Sequence, residues 1–544
     1  MSGKYAKYLK DGRIMGKLIL ELDHSEARDL LLQPNSYCNF GLPTYFNMKN
    51  LLDCADGIVQ KGNYRNSGKK AKGPGDFEGV NYTLLTNKDG AYAWRPYELV
   101  HPILYVELVN LLTEKNNWNF IKRCFKKMRS NDKIIAINIP QKSDESEENT
   151  EKEENISRWW SETEQASIKL SLEFKYLTAT DITDCYGSLY THSVAWALHD
   201  KKIAKGNHRG LDKKGGLLGN SIDNFLQDMH NRQTNGISQG NMVSDLIVEM
   251  VLGFADMLLS EQLKKVKIKE YKILRYRDDY RIFTNSRQDA ERILLELSSI
   301  LAELNFKLNP DKTVIANSVI DASIRNDKIN LISSSHGHHL GLQHQLLYIR
   351  NFAKIHKNSG SVSRLFGDFR KRIEHLKDKP DQSDAMVAIV VDIMLNNPRT
   401  YATGASVISK LMSFDTIKER DDMYRKIERK FVDVPNVGYL DICLQRISIK
   451  SHRNREFKEP LCKLVSRNQI ISMLYRRPLI AGGMVDGIWN SAWLRPSAFC
   501  ELSKANFIDD TVISKLDDVM SLTETELYIK ETSPDYAIKD EHNE

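Results

Sequence analysis

Paired cysteines are the first thing this sequence lacks. Its 7 cysteines (Cys38, Cys54, Cys124, Cys185, Cys443, Cys462 and Cys500) are scattered and contain no CxxC pair. An odd, unpatterned set excludes a disulfide framework and a zinc ribbon and points to a reducing compartment. Long hydrophobic runs are missing too: no stretch reaches the roughly 18 apolar residues of a membrane span. The opening MSGKYAKYLKDGRIMGKLILEL has no signal-peptide core, so a soluble, cytoplasmic protein is expected. Nor does one sign of charge dominate. The 78 basic and 72 acidic residues leave a net charge of +6, which permits a nucleic-acid partner without demanding one, since local clustering matters more than the total.

What is present is an ordinary globular composition, 41% hydrophobic and 28% charged over 544 residues. That length is too great for one compact core, and about two to four domains are expected. The clearest break is QKSDESEENTEKEENIS at 141–157, acidic and almost free of apolar residues, which reads as a solvated loop or insertion. A second loose stretch, KGNYRNSGKKAKGPGDFEG at 61–79, is rich in Gly and Lys; it is either a flexible surface loop or a mobile basic loop that contacts phosphates.

Apolar periodicity predicts mainly helix over 95–118, strand over 133–140 and helix over 159–174. YLTATDITDCYGSL (176–189) reads as a strand turning into a helix, 241–265 as helix, YKILRYRDDYRIF (271–283) as a β-hairpin and 291–306 as an amphipathic helix. From about 320 the pattern is helical almost throughout, with helix pairs of the solenoid kind as one arrangement. The tail from about 530 is expected to fray. The middle of the chain thus alternates strand, helix, strand–strand, helix, the order of a ferredoxin-like split βαβ sheet.

Three carboxylates lie where such a sheet brings them together: Asp181 at the end of its first strand, and Asp278 and Asp279 at the hairpin tip. Adjacent strand residues point to opposite faces, so a tight turn must re-aim one of the adjacent pair. Gathering three carboxylates is costly unless cations neutralise them. A pair of Mg²⁺ ions, with Mn²⁺ as the substitute, would do so and would form the clamp used for in-line phosphoryl transfer. An isolated Asp-Asp in a basic stretch would otherwise read as a surface turn with ordinary ion pairs.

Further residues stand at telling distances from these. YRDD (276–279) resembles the Y-x-D-D box of reverse transcriptases, and DITDCY (181–186) is similar to their first palm motif. NGISQG (235–240) resembles the second motif, LNFKLNPDKT (304–313) the fourth, and NKDGAYAWR (87–95) the fingers pattern in which a Lys and an Arg grip the triphosphate. The motifs occur in the family's order. The resemblance implies an α+β, right-hand polymerase with reverse-transcriptase-like fingers and a ferredoxin-like palm, followed by an all-α region. On that reading residues 1–175 are an N-terminal extension and fingers, 176–320 the palm, and 321–544 a helical, thumb-like C-terminal part.

The resemblance also implies roles. Asp181 and Asp278 would hold both metal ions, with the Ile182 carbonyl as a backbone ligand and Asp279 more peripheral. Tyr186 stands where the family places the gate that collides with a ribose 2′-hydroxyl, favouring dNTPs. Lys88 and Arg95 would neutralise the β- and γ-phosphates, Arg95 as a planar fork. Gln239 and Gly240 would wall the nucleotide pocket. Lys312 would either protonate the leaving pyrophosphate or face solvent. Arg277 departs from the usual small or apolar residue of the box, and NMVS (241–244) from the usual Ser-Pro-x-Ser. The arginines of RYRDDYR are expected to shape the hairpin and approach the nucleic acid. KKVKIKEYKILR (264–275) either tracks phosphates or is a solvated hairpin edge. The HGHH run (336–339), with His344, lacks a carboxylate or Cys at ligand spacing and reads as a polar turn.

Retroviral polyproteins, mobile-intron proteins and retron enzymes are disfavoured, since no RNase H-like domain, Cys-rich endonuclease or VTG-type thumb motif is found. WRPYELVHPILY, DITDCYGSLYTHS and RYRDDYRIF look like the bacterial defence-associated reverse transcriptases of the abortive-infection and "unknown group" lineage. That likeness implies an antiphage DNA polymerase, either copying a small non-coding RNA or extending DNA without a template. The expected partners are dNTPs, a DNA product, a non-coding RNA template, and a second copy of the chain, with no membrane. A non-catalytic nucleic-acid-binding scaffold and an RNA polymerase are the competing readings, disfavoured by the three aspartates and by Tyr186 respectively.

Overall fold

The computed structural model describes residues 17–137, 139–142, 163–206, 216–333, 340–466, 473–475 and 487–532. Most of the acidic stretch, the HGHH run and the last residues of the tail lie outside them. The strands that matter are β1 (Tyr82–Asn87), β2 (Trp94–Leu99), β3 (Ile134–Ala136), β4 (Tyr176–Asp181), β5 (Tyr271–Tyr276), β6 (Asp279–Thr284) and β7 (Val314–Ala316). β1 and β2 form an antiparallel hairpin of their own. The other five make one sheet in the order β3-β5-β6-β4-β7. Every neighbour pair is antiparallel except β3–β5, which is parallel. Without β3 this is the split βαβ arrangement expected from the alternation of elements.

Both faces of the sheet are covered, so β5 is buried along its whole length although it carries Lys272 and Arg275. Ile273 and Ile282 face the main core, where α3 (Met242–Lys265) and α4 (Arg287–Glu303) pack. Leu274, Phe283 and Leu177 face the other way, onto Ala166, Leu170 and Val319. α3 is apolar almost all round and correspondingly buried along most of its length. Its N-terminus is capped by Asn241, whose side-chain oxygen accepts from the Ser244 N–H at 2.8 Å.

The mainly helical expectation for 95–118 fails at its start. Trp94–Leu99 is strand, and helices begin only at Pro102–Thr113 and Lys115–Met128. The β-branched and aromatic residues of the facing strand take Trp94–Leu99 into a hairpin, and Pro102 sits at the helix's first position, where it lacks a needed N–H least.

Beyond residue 320 the chain is helical. Leu342–Ile355 (hereafter α5), Gly360–Ile373 (α6), Ser383–Asn396 (α7) and Tyr401–Leu411 (α8) stack as two helix pairs, α5 on α7 and α6 on α8. A short parallel bridge of Leu474–Tyr475 with Trp489–Asn490 interrupts the helical pattern. This region is not a separate appendage. Trp489 Nε1 donates to the Leu99 carbonyl at 2.9 Å, Asn490 N to Gly79 O and Arg495 N to Tyr64 O, both at 2.8 Å. Those contacts fix part of the 61–79 stretch, whose Arg65 also pairs with Glu107 at 2.5 Å. One buried cluster runs from Ile19 to Tyr528. No helix among the described residues is long and apolar enough to cross a membrane.

Candidate active site

The β5–β6 hairpin turns on two residues, Arg277 and Asp278, between the paired Tyr276 and Asp279. Arg277 is left-handed, with φ of 53°, a costly conformation for a long side chain unless its surroundings impose it. They do. The Arg277 carbonyl accepts from Arg275 Nη1 at 3.1 Å, and its guanidinium donates to Asp245 at 3.3 Å. The turn leaves Asp279 directly opposite Asp181 in the β4–β6 register. It also brings the Asp278 carbonyl to the Ile182 N–H at 3.1 Å. Asp181, Asp278, Asp279 and Ile182 are therefore together at one end of the sheet's central strands, which is the acidic edge of the site.

This edge is electrostatically unsatisfied. Asp181 is 5% exposed, and its Oδ1 is buried without a hydrogen-bond partner. Burial, then the charges of Asp278 and Asp181, push the Asp279 carboxyl up to about 7. Burial also raises Asp278, against its own backbone N–H and Arg277. Lys312 supplies the nearby cation: its ammonium donates to Asp181 Oδ2. Burial works against that charge, but Asp181, Asp279 and Asp278 together hold it above its ordinary range. Lys312 thus does not simply face solvent. Thr313 Oγ1, one residue on, meets Thr180 Oγ1 at 2.7 Å, fixing the Lys312 segment against β4.

The donor set suits a hard divalent cation, which favours carboxylate and carbonyl oxygens. The bare Asp181 Oδ1 and three mutually repelling carboxylates are what such an ion would relieve. Among the described residues, however, no group of three or more His, Cys, Asp or Glu side chains is already gathered to ligand distance. Lys312 stands on Asp181 in its place.

Tyr186 lies beside this edge. Its hydroxyl donates to Asp245, a residue that sequence reasoning passed over. Asp245 also accepts from Arg277 at 3.3 Å and Asn39 Nδ2 at 3.1 Å. Its signal was available: a carboxylate in the first turn of the helix that follows Gln239-Gly240. Gly240 has φ of +120°, and a Cβ there would come within 2.8 Å of the Phe40 ring, so only glycine allows the approach. Phe40 in turn stacks on Tyr97 at 4.7 Å between centroids. The Gln239 carbonyl accepts from the Glu98 N–H at 2.8 Å. The Glu98 carboxylate takes Ser238 Oγ at 2.7 Å and His230 Nε2 at 2.9 Å. The NGISQG loop is thereby tied to β2.

Arg95 is exposed on β2, its Nη1 3.4 Å from the Tyr97 hydroxyl. That hydroxyl first, and the Asp278 carboxylate after it, help hold Arg95 charged, which puts it within the field of the acidic edge. Lys88 follows β1 in the same hairpin. It is exposed and anchored through its backbone, N–H to Ala93 O at 2.8 Å and carbonyl to Asn358 Nδ2 at 2.7 Å; its ammonium has no partner among the described residues.

Two of the arginines beside the aspartates, Arg275 and Arg281, turn into the protein. Arg275 is 0% exposed and forks onto Glu249 at 2.6 and 2.9 Å and Asp256 at 2.8 Å. Arg281 donates to Ser167 Oγ at 2.9 Å and the Ser323 carbonyl at 3.2 Å. Both are recruited inward because strand alternation turns them into the covered faces of the sheet. Lys272 is likewise buried, donating to the Asp132 carbonyl at 2.7 Å, whereas Lys264, Lys265, Lys267 and Lys269 are exposed.

Residues 115–344 match the family of reverse transcriptases (RNA-dependent DNA polymerases). No curated protein matches the chain. Among solved structures, the apo telomerase of Candida tropicalis is similar at 13% identity and a TM-score of 0.31, over 76% of this chain and 73% of that one. The telomerase of Candida albicans in complex with a TWJ fragment of telomeric RNA is similar at 13% identity and a TM-score of 0.27, over 77% and 68%. Superpositions this loose carry no argument. With the five-stranded sheet and the family match in hand, the chain is identified as a nucleotidyltransferase that carries a reverse transcriptase domain.

Proposed function

We propose that this protein is a DNA polymerase, RNA-directed or untemplated, that joins deoxynucleotides at the Asp181–Asp278–Asp279 edge and acts in cytoplasmic antiphage defence. The observation that carries the catalytic part is the bare, buried Asp181 Oδ1 facing two further carboxylates that repel it. Asp181, Asp278 and Asp279, with the Ile182 carbonyl, would hold two Mg²⁺ ions. The chemistry such ions would supply there is a lowered pKa for a 3′-hydroxyl and charge stabilisation of the pyrophosphate leaving group. In the reaction the 3′-oxygen forms a bond to the α-phosphorus while the bond to pyrophosphate breaks.

The chain's own residues position the reactants. Tyr186, held by Asp245, blocks a 2′-hydroxyl. Gly240 and the Phe40–Tyr97 stack form the pocket wall beside Gln239. Arg95 meets the triphosphate. Lys88 is assigned a secondary, electrostatic part, since only its backbone is fixed. Lys312, which pairs with Asp181, would supply the proton to pyrophosphate. The division of labour follows: 1–175 carries the fingers, 176–320 the palm and 321–544 a thumb-like helical part. The defence role and the choice between a non-coding RNA template and none rest on the motif resemblance.

The test is incubation of the purified protein with Mg²⁺ and labelled dNTPs, without template or primer, beside the Asp278→Ala, Asp279→Ala double variant. Wild-type-only product that survives RNase pretreatment supports untemplated synthesis, and protease-sensitive gel retention would place the primer on the protein. Product only with co-purified or added RNA supports templated synthesis. Product made as readily from NTPs would overturn the gate assigned to Tyr186. Failure under all these conditions would leave the binding-scaffold reading.

A further inference from the structure

The β1–β2 hairpin does not project freely; its tip is seated on the helical C-terminal part. A Cβ on Gly90 would lie 2.7 Å from the Leu395 carbonyl, and Asn87 Nδ2 donates to Pro435 O at 3.0 Å. Asn358 links the two parts directly: its Nδ2 holds the Lys88 carbonyl at 2.7 Å, while its Oδ1 lies 3.4 Å from the Arg399 N–H and its carbonyl 3.5 Å from Arg399 Nη1. Arg399, in the turn before α8, is exposed and forms no ion pair among the described residues. Nor does Arg95. A guanidinium normally finds a carboxylate when protein surrounds it; Arg399 and the hairpin that carries Arg95, joined through Asn358, leave two guanidinium groups without one among the described residues. Burial first, then Arg95 and Arg325, bring Arg399 down to about 10. It is therefore surrounded by protein and by like charge while open to solvent, as in the wall of a cleft. Arg325 differs in being paired with Asp327 at 3.0 Å.

We propose that Arg399, from the helical C-terminal part, binds the triphosphate of the incoming nucleotide together with Arg95, so that the nucleotide site is built by both ends of the chain. This rests on the polymerase reading for the identity of the nucleotide, but not for the anion chemistry. An anion between Arg95 and Arg399 would relieve their repulsion and gain charge-assisted hydrogen bonds from two planar forks. The docked hairpin would hold Arg95 at a fixed distance from its partner.

The probes are inorganic tripolyphosphate, dATP and a single-stranded oligonucleotide, titrated calorimetrically into the full chain and into Arg399→Met and Arg399→Lys. Losing one such contact should weaken tripolyphosphate and dATP binding about 10- to 100-fold in Arg399→Met. Arg399→Lys should fall between, and oligonucleotide affinity should stay within about twofold. Unchanged tripolyphosphate affinity in both variants would overturn the proposal. So would loss of oligonucleotide binding with tripolyphosphate binding intact, which would assign Arg399 to a nucleic-acid backbone. If Arg399→Met does not fold, Arg399→Lys alone decides. Because binding needs no turnover, a chain that never polymerises but still loses tripolyphosphate on substitution would sink the polymerase reading and leave this one standing.

Discussion

Beneath the β5–β6 hairpin, Glu249 and Asp256 face Arg275; at its tip, Asp181, Asp278 and Asp279 face one another. The two sets meet at the same hairpin, yet their charges are settled differently. Arg275 forks across both lower carboxylates and is sealed from water, so that set is complete within the fold. In the upper set Lys312 is the cation ion-paired among the described residues, reaching one of three acids from a side chain that is 65% exposed, and the set keeps an unbonded buried oxygen. A buried pair closed by its own arginine is structural. A set that the fold leaves open, at a solvent-reachable edge, is one that expects a charge from outside.

The largest effect that follows is on chemistry. Asp278→Ala should lower polymerisation by roughly 10³-fold or more while leaving the unfolding midpoint close to wild type, since no internal cation loses its partner. Activity assays beside denaturant melts check both halves; a variant that unfolds would show that the upper set is structural after all. The converse is expected below. Arg275→Met strands Glu249 and Asp256 in the interior and should cost about 3–5 kcal/mol of stability. Adding Glu249→Gln and Asp256→Asn should restore part of it. Guanidinium unfolding measures this, and a loss under about 1 kcal/mol would mean that the lower charges find water.

A pH series sharpens the same comparison. Asp279 in the folded chain keeps its proton to about pH 7, against an ordinary 3.8. Between those values the native state binds more protons than the unfolded one, so the Asp279 contribution weakens stability as pH rises and is spent above 7. Asp279→Asn should therefore be more stable than wild type by up to about 4 kcal/mol at pH 8 and no more stable near pH 4. Mg²⁺ should raise the Tm of wild type at pH 8, and chelation should reverse the rise; most of that shift should vanish in Asp279→Asn. Equal Mg²⁺ shifts in both proteins would remove Asp279 from the ion site.

These contrasts also mark what could be read in advance. The sheet order and the convergence of Asp181, Asp278 and Asp279 were legible, because alternation of strand and helix over 176–316 leaves few ways to close a sheet. Trp94–Leu99 was misjudged as the opening of a helix because a short apolar run carries no period of its own; the facing strand decides. The inward turn of two arginines of RYRDDYR was not legible, because their partners are remote in sequence: Glu249 and Asp256 of α3 take Arg275, and Ser167, on the face that Ala166, Leu170 and Val319 cover, takes Arg281. Arg399 was invisible: it lies outside every motif and about 300 residues from Arg95, and only the docking of the Gly90 turn on α7 brings the two parts together.

Asp245 is the intermediate case between the two acidic sets, and substituting it should have the smallest effect. It is a single carboxylate with donors from Tyr186, Arg277 and Asn39, so nothing is left open for an ion, yet its partners are the proposed gate and the strained turn. Asp245→Asn keeps the shape and one acceptor oxygen but removes the charge and offers donors to groups that are themselves donors. Tyr186 should lose its fixed orientation while the three aspartates stay in place. The expected result is a fall of about tenfold, roughly 1.4 kcal/mol, in the preference for dNTPs over NTPs, with kcat for dNTPs reduced only a few-fold. The ratio of kcat/KM for the two nucleotide classes measures it. If selectivity holds while kcat drops sharply, Asp245 acts on the turn through Arg277 rather than on the gate through Tyr186. The carboxylate would then belong with the lower, structural set.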